Sequence, residues 1–165
     1  MVLTRKLAAL AAVLAVAPAA APADDPPAQL EPAVRRGASS PTLSIWDGIY
    51  TDEQARRGEY LYPGPCGKCH GVKLDGAPED PDMFSTKPIA GPKFLRDWDG
   101  RTLGVLYEYL RATMPANNPG FLSDREYADL IAFMLARSGA PSGRTELEPD
   151  PSRLAALLIR KAAER

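Results

Sequence analysis

Three stretches of the chain carry helix signals, and in the second and third of them apolar residues recur with a helical period. Segments rich in proline and glycine separate the three stretches. In the second stretch the apolar residues stand at positions i, i+3, i+4 and i+7 and predict a helix over about residues 102–112. The residues of this apolar face are Leu103, Leu106, Tyr107 and Leu110. The following segment, 113–120, contains prolines, asparagines and a glycine, which is typical of a break between helices.

The first and third stretches open with helix-start signals. Thr51 is a predicted N-cap, and Gln54 stands where its side chain can close a capping box. We expect this first helix to end near Tyr62, because Pro63 follows directly. The third helix opens with a complete capping box, Ser123–Glu126. Its predicted apolar face contains Tyr127, Leu130, Ile131 and Met134, and Gly139 and Pro141 end it.

The remaining segments contain few regular signals. Residues 71–92 are rich in glycine, proline and aspartate without a lasting period, so they are predicted to be loop. Asp150 can begin a short amphipathic helix whose apolar residues are Leu154, Leu157 and Leu158. No stretch carries a convincing strand pattern. The sequence therefore predicts an all-α fold with three main helices, long loops and no sheet.

The N-terminus has the features of a secretory signal peptide. Arg5 and Lys6 precede the apolar run Leu7–Val16, and Ala21-Pro22-Ala23 supplies a small-x-small cleavage site. An uncleaved anchor is the alternative, although the run is short for a membrane span. We therefore divide the chain into a signal peptide (1–23), a disordered Pro/Ala-rich lead-in (24–44), a folded domain (45–140) and a C-terminal extension (141–165).

Charge and hydropathy exclude some functions. The chain has 20 Lys and Arg against 21 Asp and Glu, a net charge of −1. Removal of residues 1–23 takes away two positive charges and changes the net charge from −1 to −3. There is no basic stripe, so nucleic-acid binding is not expected. A second hydrophobic span is absent from the sequence, and we expect an exported, periplasmic protein without a stable membrane span after cleavage.

The two cysteines and the one histidine of the chain lie in a single motif, Cys66-Gly67-Lys68-Cys69-His70. Cys-x-x-Cys-His is the attachment sequence for haem c. Cys66 and Cys69 can each form a thioether to the porphyrin, and His70 is then the proximal iron ligand. The alternatives are a dithiol redox site, a zinc site that lacks a fourth ligand, and a strained disulfide.

With these motifs the chain resembles class I, mono-haem cytochromes c over about residues 46–139. The resemblance rests on the haem motif after the first helix, on Gly91-Pro92, on Met114-Pro115 and on a last helix with Leu130 and Phe133. It implies one covalent haem c surrounded by helices and an electron-transfer role rather than an enzyme activity. It also implies that Gly58 and Tyr62 lie where the first helix crosses the last.

A distal iron ligand has to come from a second residue. Met114 follows the second helix, and Pro115 holds it in an extended path that can return over the haem, as the family pattern implies. Met83, and a distal position left open, are the alternatives, whereas Met134 is expected in the core. The resemblance further implies that the backbone carbonyl of Pro92 accepts a hydrogen bond from His70. Trp98 and Arg101 can reach a haem propionate, although Trp98 can equally be core.

The expected partners are periplasmic redox proteins. Residues 46–50 and 97–102 are similar to bacterial cytochromes c that serve quinoprotein alcohol dehydrogenases, so a quinoprotein dehydrogenase or a terminal oxidase is a candidate partner. The alternative to a shuttling carrier is a haem-c subunit of a dehydrogenase complex, with the C-terminal extension as a docking element. An enzyme or sensor with an open iron is a third possibility. The basic residues that can form a rim for an acidic partner, or merely a solvated face, are Lys68, Lys73, Lys87, Lys93 and Arg96.

Overall fold

The computed structural model describes residues 43–80, 82 and 87–161. The predicted signal peptide, the lead-in up to residue 42 and Met83 lie outside the described residues. In chain order the elements are β1 (Leu43–Ser44), α1 (Asp52–Leu61), a π-helical turn (Pro63–Gly67), α2 (Lys68–His70), α3 (Gly91–Asp97), α4 (Leu103–Thr113), α5 (Asp124–Arg137), α6 (Pro151–Ala155) and β2 (Leu157–Leu158). The predicted all-α fold is confirmed. None of the helices in the described ranges has the length and apolar character needed to cross a membrane.

Helices α1 and α5 cross at Gly58, as predicted. A Cβ atom at Gly58 would lie 2.0 Å from the carbonyl oxygen of Asp129 and 2.8 Å from the Cβ of Phe133. No side chain fits in this space, so the glycine permits the two backbones to approach. One turn later, the ring of Tyr62 packs against Phe133 at a centroid distance of 5.5 Å.

The predicted apolar faces form the core. On α4 the residues Leu103, Leu106 and Tyr107 are buried, and Leu110 packs against the same cluster. On α5 the core-facing positions Leu130, Ile131 and Met134 are buried, which confirms the structural role predicted for Met134.

Of the two predicted capping boxes, one is formed in full and the other only in part. Ser123 and Glu126 make a complete capping box at the start of α5. Thr51 caps α1 by accepting a hydrogen bond from the Gln54 N–H. The Gln54 side chain does not close a box, because its buried amide instead binds both backbone groups of Leu147, at 2.9 and 2.7 Å. The expectation of a full capping box at Thr51 is therefore wrong.

Helix α3 is absent from the sequence prediction, which has loop over residues 71–92 and begins the next helix at about residue 102. Pro92 lies in its first turn, where proline is tolerated, and Phe94 and Leu95 are buried. A helix of seven residues is too short for a clear period to emerge from the sequence.

The C-terminal helix is shorter than predicted, because α6 ends at Ala155 and Leu157–Leu158 form β2 instead. Strand β2 pairs in parallel with β1, in the register Leu43 to Leu157 and Ser44 to Leu158. The expectation of no sheet is wrong to the extent of these two short strands. The Ile159 N–H continues the bonding by donating to the Arg101 carbonyl at 2.8 Å, so the residue after β2 is joined to the segment just before α4.

Candidate functional site

The Cys66–His70 motif lies on a compact helical turn between α1 and the loop that follows. The chain leaves α1 through a π-helical turn in which the N–H groups of Cys66 and Gly67 both donate to the Tyr62 carbonyl, at 3.1 and 3.0 Å. It then enters α2, which ends at His70. Pro63 therefore ends α1 as predicted but does not end helical winding. Single π-helical turns of this kind are frequent at functional sites.

The end of the motif is fixed from two sides. The Tyr62 hydroxyl donates to the Gly71 carbonyl at 2.6 Å, and the Gly76 N–H donates to the His70 carbonyl at 3.1 Å. These bonds connect the motif both to α1 and to the next loop. They hold the backbone of His70 in place without using its imidazole ring.

The imidazole of His70 has a buried nitrogen, Nδ1, without a hydrogen-bond partner among the described residues. Burial lowers the pKa of His70, and a hydrogen bond to the backbone of Lys87 acts against it. A neutral imidazole is the form that ligates a metal. A buried nitrogen without a partner costs free energy, so the ring is suited to a ligand or a bound group.

The thiol of Cys66 lacks the lowered pKa that makes a dithiol site reactive. Both cysteines are free and half-buried, and Cys66 packs against the hydrophobic core. Burial, together with the neighbouring Cys69, raises the pKa of Cys66 to about 11, whereas a reactive dithiol site needs a lowered value. Across the described ranges, no group of three or more His, Cys, Asp or Glu side chains is arranged to hold a metal ion.

These residues fit a covalent haem c. Cys66 and Cys69 are unpaired and sit on one short helical segment, and His70 directly follows them with a buried nitrogen that needs a partner. Haem binding would use both thiols in thioethers and the imidazole as an axial ligand. The donor set is therefore complete on the proximal side.

Pro92 and Lys87 differ in their relation to His70. Pro92 lies in the first turn of α3 and is exposed. The backbone group that interacts with the imidazole is that of Lys87. The role of the Pro92 carbonyl stays a prediction. Lys87 is expected from the sequence only as a basic surface residue, and the contact of its backbone with His70 is not predicted. The available signal was Pro88, because a residue before proline is restricted to an extended backbone that fixes its carbonyl direction.

Met114 is the residue that directly follows α4. Its backbone is extended, with φ −125° and ψ 144°, and the residue is half-buried. The extended path predicted from Pro115 is therefore present. The assignment of Met114 as distal ligand stays a prediction.

The other polar residues considered for the site have structural contacts. Trp98 is buried between Phe94 and Tyr109, and the Arg101 guanidinium lies 5.8 Å from the centre of its ring. Lys93, one of the basic residues of the predicted rim for an acidic partner, forms an ion pair with Asp97, with 2.8 Å between Nζ and Oδ2. Trp98 is therefore a core residue in this fold.

A comparison with protein families agrees with this site. The model of the family described as "Cytochrome C oxidase, cbb3-type, subunit III" matches residues 53–134. The match begins in α1, includes the haem motif and Met114, and ends in α5. The chain belongs to the cytochromes c. This cytochrome c accordingly carries covalently bound haem c and functions in electron transfer.

The other comparisons add little to this identification. The crystal structure of the sulfane dehydrogenase SoxCD from Paracoccus pantotrophus resembles the cytochrome c with 20% sequence identity and a TM-score of 0.41. The likeness covers 76% of this chain and 68% of that one, and a score of this size does not establish a shared fold. No curated protein is significantly similar in sequence.

Proposed function

We propose that this cytochrome c is an exported one-electron carrier with a single haem c, ligated by His70 and Met114, that passes electrons between periplasmic redox proteins. The observation that carries the proposal is the Cys66–His70 turn, with two free thiols and a buried His70 nitrogen that has no hydrogen-bond partner among the described residues. When bound, the haem supplies one-electron chemistry by cycling its iron between the ferrous and ferric states.

Each residue of the motif has its own role in binding the haem. Cys66 and Cys69 would fix the cofactor covalently, and the π-helical turn and α2 present them one after the other, following α1. His70 would bind on the proximal side, with its backbone held by Gly76. Because the sequence contains one Cys-x-x-Cys-His motif, we expect one haem per chain. A pyridine haemochrome assay on protein of known concentration tests this ratio, and a haem-free or two-haem product would contradict it.

Met114 is the proposed distal ligand. Support comes from its extended backbone after α4, and from the burial of Met134 in the core. Replacing Met114 with alanine should abolish the Fe–S charge-transfer band and lower the reduction potential. Met134→Leu is the matched control, since it removes a thioether but keeps the side-chain volume, and it should retain the band. A Met114→Ala protein that keeps both the band and the potential would refute the ligand assignment.

Export to the periplasm is supported by the charged, apolar and small-residue regions of the first 23 residues. Haem is attached to this motif outside the cytoplasm, so the two features agree. N-terminal sequencing of protein from a periplasmic extract should begin at Asp24. Recovery of the intact N-terminus in the membrane fraction would favour the anchored form instead.

The alternative function is that of a haem-c subunit in a periplasmic dehydrogenase or oxidase complex. The matched family is described as a subunit of cytochrome c oxidase, which favours this alternative. The sequence resemblance to cytochromes of quinoprotein dehydrogenases favours a dehydrogenase as the partner. Co-purification with an enzyme at a constant ratio would support the subunit, and isolation as a single chain would support the carrier. Carbon monoxide binding by the reduced native protein would instead indicate an open iron.

A further inference from the structure

The backbone of Met114 is held on both sides by hydrogen bonds. Its N–H donates to the Leu110 carbonyl at 2.8 Å, which is the last bond of α4. Its carbonyl accepts from the Tyr127 hydroxyl at 2.7 Å. Tyr127 lies in the first turns of α5 and is only 1% exposed. A buried side chain of one helix therefore binds the residue at which another helix ends.

This bond differs from the other hydrogen bonds of the Met114 segment. The Asn118 N–H donates to the Pro115 carbonyl and the Phe121 N–H donates to the Asn118 carbonyl, so both are local turn bonds. Local bonds move with the segment when it moves. The Tyr127 bond instead ties the segment to α5, which is a long core helix. Displacement of Met114 from its place would break this bond and leave a buried hydroxyl without its partner.

We propose that Tyr127 is a positioning residue that holds Met114 against the haem iron. This inference rests on the proposed role of Met114 as distal ligand. In the ligated state the hydroxyl bond is intact, and in a state with Met114 released it is lost. Loss of one such bond should change the ratio of ligated to released protein about twofold to tenfold.

Tyr107 provides a matched control. It is also 1% exposed, and its ring packs edge-on against Tyr127 at 6.4 Å between centroids. Its hydroxyl lies beside Asp124 and does not bind Met114. Tyr107→Phe and Tyr127→Phe thus remove the same atom from the same part of the core, but only the second removes a bond to Met114.

Imidazole titration of the ferric holoprotein measures the effect directly. Imidazole can occupy the distal position only when Met114 has released it, so its apparent affinity reports the released fraction. We expect Tyr127→Phe to bind imidazole about twofold to tenfold more tightly than wild type, the size expected for one lost hydrogen bond. Tyr107→Phe should bind imidazole with the same affinity as wild type. Met114→Ala should bind imidazole most tightly, because no methionine side chain then competes for the distal position.

The titrations of wild type and the three variants distinguish the role of Tyr127 from the assignment of Met114 as the distal ligand. Equal affinities of Tyr127→Phe and wild type, with Met114→Ala clearly tighter, would overturn the role of Tyr127 and leave the ligand assignment intact. A Met114→Ala protein that titrates like wild type would overturn the ligand assignment, and with it the inference. An equal increase in imidazole affinity in Tyr107→Phe and Tyr127→Phe would also overturn the inference about Tyr127. A general loosening of the core would then explain both increases.

Discussion

At the scale of single residues, Leu74 combines full burial with a backbone conformation that leucine rarely adopts. Its φ is +60°, and the residue is 0% exposed. Its carbonyl accepts from the Ile89 N–H at 2.8 Å, which joins the loop after the haem motif to the segment that begins with Lys87. The left-handed conformation costs an L-residue about 1–2 kcal/mol. Burial of the side chain outweighs this cost and keeps the loop in place.

Substitutions at Leu74 should therefore rank in an unusual order. Leu74→Ala and Leu74→Gly both lose the buried side chain and should lower the free energy of unfolding by about 2–5 kcal/mol. Only alanine retains the cost of a positive φ, so the glycine variant should be the more stable of the two by about 0.5–1 kcal/mol. Guanidinium unfolding of the holoproteins measures both. An alanine variant as stable as the glycine variant would contradict the backbone conformation.

Gly58 gives a second residue-scale prediction. Gly58→Ala should improve helix propensity by about 1 kcal/mol, yet its Cβ would lie 2.0 Å from the Asp129 carbonyl oxygen. Because both groups belong to packed helices, we expect a net loss of about 2–3 kcal/mol or more. Gly64→Ala is the control, since its Cβ would meet nothing within 4 Å and should change stability by less than about 0.5 kcal/mol. Similar thermal midpoints for both variants would be incompatible with the crossing.

At the scale of elements, an ion-pair network joins α1, α5 and the C-terminal extension. Arg57 on α1 binds both carboxylate oxygens of Asp129 on α5, at 2.9 and 2.8 Å, and also Glu146, at 2.9 Å. The bond from Arg57 lowers the pKa of Glu146 below its ordinary value of 4.5. A carboxylate with a lowered pKa in the folded state stabilises the protein above its unfolded pKa. That contribution is lost as the pH falls through the folded pKa.

The network predicts a pH dependence with a defined sign. Wild type should be more stable than Glu146→Gln near pH 7, and the difference should shrink as the pH is lowered through 4.5 and below. The effect should be small because Glu146 is partly exposed. Urea unfolding curves at several pH values measure the convergence. A difference that stays constant, or grows towards acid, would show that the ion pair does not contribute in this way.

At the scale of the whole molecule, features that depend on neighbouring residues, such as helix starts and the haem motif, can be predicted from the sequence. Contacts between distant segments cannot be predicted from such local patterns. Thr51 and Ser123 mark helix starts, because each acts through its immediate neighbours in sequence. The crossing at Gly58 joins distant segments, and the expectation of it comes from the family resemblance rather than from a local signal. Gln54 also binds a distant segment, since its partner Leu147 lies 93 residues away. Strand β2 likewise exists only because β1 lies beside it. The haem motif is local and is evident in the sequence, whereas Lys87 reaches His70 through the fold of a loop.

The C-terminal extension also belongs to this whole-molecule scale, because it is part of the core. Leu147, Leu154, Leu157 and Ile159 are each at most 9% exposed. The Gly143 N–H donates to the Tyr50 carbonyl at 2.6 Å, and a Cβ at Gly143 would lie 1.8 Å from the carbonyl oxygen of Gly48. A segment packed in this way stabilises the domain, whether or not it also meets a partner.

Truncation after Ala140 should therefore damage the domain itself. Each buried leucine or isoleucine contributes about 1.5–3 kcal/mol, so the loss is comparable with the whole stability of a small domain, about 5–15 kcal/mol. We expect a large fall in the thermal midpoint of the holoprotein. Thermal unfolding monitored by circular dichroism measures this midpoint. Leu154→Ala gives a milder test if the truncated chain cannot be purified, with an expected loss of about 2–5 kcal/mol. A dispensable docking element would behave differently: both changes would leave the midpoint unchanged and weaken only the binding of a redox partner.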